Sequence, residues 1–187
     1  RQSLLFSATM PFKIRELAKK ILHQPIEVNI AISKPPEKII QKAYVVYDSQ
    51  KIPLVKYLLT EKKHKSVLVF CSTKENVKDL NKDLRKSGFS VDAIHSDLEQ
   101  SVRENVLRKF KNKDLNILVA TDILSRGIDI EDIELVINFD VPHDGEDYVH
   151  RIGRTARAES EGAAFTLINE KEQQKFLKIE ELLGKIV

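Results

Sequence analysis

Ile117-Leu118-Val119-Ala120-Thr121-Asp122-Ile123-Leu124-Ser125-Arg126-Gly127-Ile128-Asp129 is the stretch that decides the fold of this chain. Its apolar head reads as a strand buried on both faces, and it feeds at once into a polar turn. Uninterrupted apolar runs of this kind suit a parallel sheet covered by helices on both sides, where neither face meets water. In such sheets ligands bind beyond the carboxyl ends of the strands, so Thr121 to Asp129 is a candidate binding segment.

Working outward, the same pattern recurs along the chain. Leu4 to Ser7, Ile26 to Ile30, Ala43 to Tyr47, Val67 to Cys71, Val91 to Ile94, Leu135 to Asn138 and Ala163 to Ile168 read as further strands. Helical stretches fall between them. Ile14, Leu17, Ala18, Ile21 and Leu22 form one stripe after Pro11, and Pro25 stops it. The others run from about Ile52 to Thr60, Glu75 to Lys86, Leu98 to Phe110, Asp147 into an arginine-rich octet, and Glu170 to Leu183, with Gly88 and Gly184 placed as C-terminal caps. This alternation predicts an α/β fold with a mostly parallel sheet sandwiched between helices. Ala31 to Lys38, containing Pro35-Pro36, carries no periodicity and reads as a linker.

The octet His150-Arg151-Ile152-Gly153-Arg154-Thr155-Ala156-Arg157 holds three arginines and a histidine with no carboxylate among them. If helical, at about 100° per residue, positions 150, 154 and 157 point within roughly 60° of one another. Converging guanidinium forks suit phosphate oxygens. The plainer reading is a solvated basic face paired with Asp144, Glu146 and Asp147.

Taken together, the two segments resemble motifs V and VI of superfamily 2 helicases, and specifically the second RecA-like domain of DEAD-box RNA helicases. Ser7-Ala8-Thr9 is similar to motif III, and Leu68-Val69-Phe70-Cys71-Ser72-Thr73 to motif IV. His95-Ser96-Asp97 with Gln100-x-x-Arg103 is similar to the segment that follows motif IV. These motifs keep the family's order over nearly the whole chain. Ser96 and Ala156 stand where the family usually has glycine.

The resemblance implies a RecA-like three-layer sandwich. Residues 1–32 would be the tail of the first RecA-like (ATP-binding) domain, 33–38 the linker, and 39–187 the second domain. It implies that Arg154 and Arg157 reach the γ-phosphate of ATP, one of them as an arginine finger, and that Asp129 with Gly127 meets the ATP ribose. Ser7, Thr9, His150 and Arg151 would couple the two domains. Thr73, Gln100, Arg103 and Thr121 would hold the RNA backbone. For Thr73 and Thr121 a helix or turn cap is the structural alternative, and Asp97-x-x-Gln100 also fits a capping box. No glycine opens a Gly-Lys-Ser/Thr phosphate loop and Asp-Glu-Ala-Asp is absent, so the ligands of the Mg²⁺ that accompanies ATP are expected in the first domain, not here.

The function this implies is the C-terminal half of an ATP-dependent RNA helicase, inactive alone. Its partners would be RNA, bound with little regard to sequence, and the first RecA-like domain of the same protein. A non-catalytic RecA-like module that binds RNA or another partner is the alternative. The apolar strand Leu4 to Ser7, without its sheet, suggests either a strand-exchanged dimer or packing of this segment on its own domain through the Ile14, Leu17 and Ile21 stripe.

Composition sets wider bounds. Lys and Arg number 31 against 28 Asp and Glu, a net +3 in 187 residues, too little to mark a nucleic-acid binder by bulk charge. The single cysteine, Cys71, ends a strand and has no intramolecular partner, which suits a reducing, cytoplasmic setting. No metal-ligand spacing occurs, and no apolar run approaches the roughly 18 residues of a membrane span.

Overall fold

The computed structural model describes residues 3–6, 12–28, 38–122, 130, 133–155 and 162–187. The chain divides into two compact units, Arg1–Ser33 and Lys34–Val187.

In the first unit, α1 (Phe12–Ile21) carries the expected apolar stripe. It ends in a turn at Gln24, whose φ of 43° reverses the backbone just before Pro25. The strands read at Leu4 to Ser7 and Ile26 to Ile30 are not formed over their described residues: Leu4 to Phe6 and Ile26 to Val28 carry no ladder hydrogen bonds. A strand exists only through a neighbour, and among the described residues of this unit there is none.

The second unit runs β1 (Ile39–Val45), α2 (Asp48–Glu61), β2 (Val67–Cys71), α3 (Lys74–Lys86), β3 (Val91–Ile94), α4 (Gln100–Lys111), β4 (Ile117–Thr121), β5 (Leu135–Asn138), α5 (Gly145–Ile152), β6 (Gly162–Ile168) and α6 (Gln173–Leu183). Its described strands form one six-stranded sheet in the order β1-β6-β5-β2-β4-β3, and every pair is parallel. Successive residues of the central strands alternate between two cores. Leu68, Phe70, Leu118, Ala120 and Val136 face α4, α5 and α6, whereas Val67, Val69, Cys71, Val119 and Ile137 face α2 and α3. The central strands therefore have to be largely apolar on both faces, and the buried exceptions Asn138 and Thr166 hydrogen-bond to each other.

Several boundaries differ from the sequence reading, most of all at β1 and α2. β1 begins at Ile39 rather than Ala43 and stops at Val45, because as an edge strand it is buried on one side only, and Gln41 and Lys42 interrupt the apolar run without interrupting the ladder to β6. α2 begins at Asp48, not near Ile52. Its start is fixed by Gln50, whose backbone N–H donates to the Tyr47 carbonyl at 2.9 Å while its side-chain oxygen accepts from the Tyr47 N–H at 3.0 Å.

The arginine octet is the largest correction. It is not one helix: α5 ends at Ile152, Gly153 and Arg154 form a turn, and Thr155 makes a parallel bridge to Ile133. The Thr155 hydroxyl donates to the Ile133 carbonyl, drawing the chain away from the helix axis. His150 and Arg154 therefore do not share one helical face, and Arg157 lies outside the described residues.

The glycine caps fall where expected. Gly88 and Gly184 have φ of 83° and 67°, a left-handed conformation that ends α3 and α6 and that other residues adopt only with strain.

Candidate functional site

Adjacent strands β2 and β5 send the chain to opposite faces of the sheet, β2 to α3 and β5 to α5. Such a divergence opens a crevice at the carboxyl edge of a parallel sheet. Ser72 and Thr73 follow β2 at this edge, Thr121 ends β4 with Asp122 after it, and Asn138 ends β5 with Phe139 and Asp140 after it.

Arg151, in the last turn of α5, points inward and is 3% exposed. Its Nε donates to Asp122 Oδ1 at 2.6 Å and its Nη2 to Asp122 Oδ2, a bidentate pair. Nη1 donates to Asn138 Oδ1 at 3.0 Å and to the Asp140 carbonyl at 3.1 Å. The guanidinium also lies over the Phe70 ring, 5.0 Å from its centroid. Asn138 in turn donates to Thr166 at 3.0 Å. Arg151 thus ties α5 to the ends of β4 and β5.

Arg154, three residues on, is half-buried. Its backbone is pinned on both sides: the N–H donates to the Arg151 carbonyl at 3.2 Å, and the carbonyl accepts from Ile133 at 3.3 Å. Gly153 before it has little room, since a Cβ there would sit 3.0 Å from the Val149 carbonyl oxygen. His150 is exposed on the outer side of α5.

A second ionic group lies beside the first. Lys51 on α2 is 2% exposed, and its Nζ reaches Glu172 Oε2 at 2.9 Å and Asp140 Oδ1 at 3.2 Å. Burial lowers the Lys51 pKa, but the Glu172 hydrogen bond and the Asp140 and Glu172 charges outweigh it, and the net shift is upward. Asp140 Oδ2 accepts from the Ser72 N–H at 2.7 Å and from Asn76 Nδ2 at 3.1 Å. Glu172 Oε1 accepts from the Val141 N–H at 2.9 Å. Burial also pushes the neighbouring Cys71 thiol well up, so it is a neutral core group.

Along the edge, Thr73 caps α3, its hydroxyl accepting from the Asn76 N–H at 3.1 Å. Thr121 ends β4 half-buried, in register with Cys71. Gln100 opens α4 and donates to Glu104 at 2.9 Å. Arg103 turns back to the Leu98 carbonyl at 3.0 Å and to Gln100 Oε1 at 3.4 Å, while its buried Nε has no partner. The Asp97 capping box is not formed. Glu99 is the N-cap of α4, and Asp97 is taken instead by Lys74 at 3.1 Å and Lys78 at 2.6 Å, whose charges win over an uncharged N–H. Hydrogen bonds from Lys78 and then Lys74 hold the Asp97 carboxyl down at about 2. His95 is buried beside them with its Nδ1 unpartnered; burial first, and then the Lys78 charge, lowers its pKa.

The structure therefore brings Thr73 and Thr121 together at one edge and puts Gln100 and Arg103 on α4. Ser7, Thr9, Gly127, Asp129 and Arg157 lie outside the described residues. Among the described residues no group of three or more His, Cys, Asp or Glu is placed to hold a metal ion, and no helix is long and apolar enough to cross a membrane. Sequence reasoning missed Lys51, Asp122, Asn138, Asp140 and Glu172. The signal for Lys51 was present, since it shares the α2 stripe of Val55 and Leu59, and a charge on a buried stripe demands a counter-charge.

Comparison with known proteins agrees with this architecture. The profile of the helicase conserved C-terminal domain matches residues 50–159. The ATP-dependent RNA helicase CshA of Listeria monocytogenes is 40% identical over 99% of the chain, and the probable ATP-dependent RNA helicase DDX47 of Homo sapiens 38% over 99%. The chain spans only 36% and 41% of the lengths of those two relatives. Among solved structures, the Escherichia coli DEAD-box protein SrmB, bound to regulator of ribonuclease activity A, is similar with a TM-score of 0.76 and 33% identity, over 81% of this chain and 90% of that one. A DEAD box protein from Methanococcus jannaschii is 42% identical with a TM-score of 0.74, covering 97% of this chain and 49% of that one.

Proposed function

Since the chain belongs to the helicase conserved C-terminal domain family, in its DEAD-box branch, we propose that it is the C-terminal RecA-like half of an ATP-dependent RNA helicase, acting in the cytoplasm. In this reading residues 1–32 are the tail of the first RecA-like domain, 33–38 the linker and 39–187 the second domain; the division between Ser33 and Lys34 supports it. ATP with Mg²⁺ binds between the two domains, the Mg²⁺ ligands belonging to the first. ATP and RNA both favour the closed arrangement, so each promotes binding of the other.

On closure Arg154 and Arg157 meet the γ-phosphate, where a guanidinium stabilises the charge that develops during transfer. Asp129 and Gly127 hold the ribose. Ser7, Thr9 and His150 couple the domains. Arg151 joins them in that coupling and also fixes, within its own domain, the turn that carries Arg154. Thr73 and Thr121 hold RNA phosphates, with Gln100 and Arg103 supporting them on α4. Backbone contacts of this kind carry little sequence information. Without its first domain the chain is expected to pair through Leu4 to Ser7 with a second copy.

The observation that carries the reading is the juxtaposition of the β2 and β4 ends: Thr73 lies two residues beyond Cys71, the register partner of Thr121, and Lys74 and Lys78 follow on α3. Purified chain with ATP, Mg²⁺ and RNA should show no turnover, and its RNA binding should be weak, salt-sensitive and indifferent to sequence. In the full-length protein, Thr121→Ala and Arg103→Ala should weaken binding of all RNA sequences alike. Losses confined to particular sequences would contradict backbone recognition.

A further inference from the structure

We propose that Lys51 is a positioning residue for the RNA-binding edge, acting through Asp140. It lies on α2, outside every motif that the sequence resemblance supplied, yet it is among the most deeply buried side chains of the molecule at 2% exposure. A buried ammonium can be kept only where its surroundings return the lost hydration, and Asp140 and Glu172 do so at 3.2 and 2.9 Å.

Asp140 is the pivot. One carboxylate oxygen takes Lys51; the other takes the Ser72 N–H at 2.7 Å and Asn76 Nδ2 at 3.1 Å, on either side of Thr73. The Asp140 carbonyl accepts from Arg151 Nη1 at 3.1 Å. One residue thereby orients both the loop that bears Thr73 and the guanidinium that anchors the Arg154 turn. Glu172 extends the brace to the segments after β5 and β6 through the Val141 and Asn169 N–H groups at 2.9 and 3.2 Å. Lys51 clamps these two carboxylates, which without it would repel. Its charge therefore sets the angle at which Asp140 presents Ser72 and Thr73.

The proposal rests on the RNA-helicase reading for its functional consequence but not for its structural one, so two measurements separate them. In amide-resolved NMR of this chain, Lys51→Gln should move the Ser72 amide proton upfield and shift the Arg151 Nε–H signal, and Lys51→Arg should restore both. In the full-length protein, Lys51→Gln should raise the KM for RNA by about 2- to 30-fold with the KM for ATP, measured at saturating RNA, unchanged. If Lys51→Gln alone does not fold, the pair Lys51→Gln/Glu172→Gln removes both charges of the closer ion pair together and is read at the same signals. Unmoved Ser72 and Arg151 signals in a folded variant overturn the proposal. So does an unchanged KM for RNA where the wild-type protein is RNA-stimulated. Moved signals in a protein without RNA-stimulated turnover would uphold the brace and refute the helicase reading.

Discussion

Asp97 sits between the ammonium groups of Lys74 and Lys78, and these hold its carboxyl at about 2 against an ordinary 3.8. A depressed carboxyl pKa favours the fold above pH 3.8, and that contribution disappears as the pH falls through about 2. The pair is open to solvent, so salt should screen it. A carboxyl-carbon titration should give a midpoint near 2 at low ionic strength, moving toward 3.8 in molar salt; a salt-independent midpoint at the ordinary value would show the bridges to be absent. Arg151 behaves differently because it is buried. Arg151→Met removes the donor that the Asp122 carboxylate and the Asn138 and Asp140 oxygens share, and should cost about 3 kcal/mol in urea unfolding. Arg151→Lys should recover little of it, since an ammonium cannot reproduce the two-pronged pair.

Among the elements, α3 is capped by a residue with two jobs. Thr73 caps the helix and is also proposed to hold an RNA phosphate, and substitutions can separate these. Thr73→Ala should lose about 1 kcal/mol of stability along with RNA affinity. Thr73→Asp keeps a capping oxygen but sets a carboxylate against phosphate, so stability should hold while RNA affinity falls. Equal RNA binding by Thr73→Asp and wild type would assign the residue to capping alone. The same scale shows where the sequence is legible. β2 matches its apolar run end to end because both of its faces are buried, and β3 and β5 keep their expected bounds although they include Asp92 and Asn138. β1 does not, since an edge strand tolerates Gln41 and Lys42 and loses its apolar signature. The end of α5 was hidden because its C-cap, Gly153, keeps a helical φ of −65° and does not turn the chain sharply by itself. The stop is a tertiary bond, Thr155 to Ile133, between residues far apart in sequence. The candidate site was legible where a motif carries its chemistry in consecutive residues, as at Ser72-Thr73 and Thr121. It was illegible where function depends on a brace assembled from α2, β5 and α6, as with Lys51, Asp140 and Glu172.

Over the whole molecule, the second unit is a closed parallel sandwich, whereas the first leaves apolar groups uncovered: Phe6 is 88% exposed and Ile26 94%. Such groups invite a partner. Light scattering should find a concentration-dependent dimer for residues 1–187 that disappears when the chain starts at Glu37; a monomer in both would eliminate strand exchange. The central claim, however, is that this domain completes an ATP site it does not itself contain, through the turn after α5. Steady-state turnover of full-length Arg154→Ala with saturating RNA tests it most directly. The account predicts a loss in kcat on the order of 10³-fold with ATP affinity little changed, as removal of transition-state charge stabilisation requires. Turnover near the wild-type rate would contradict it.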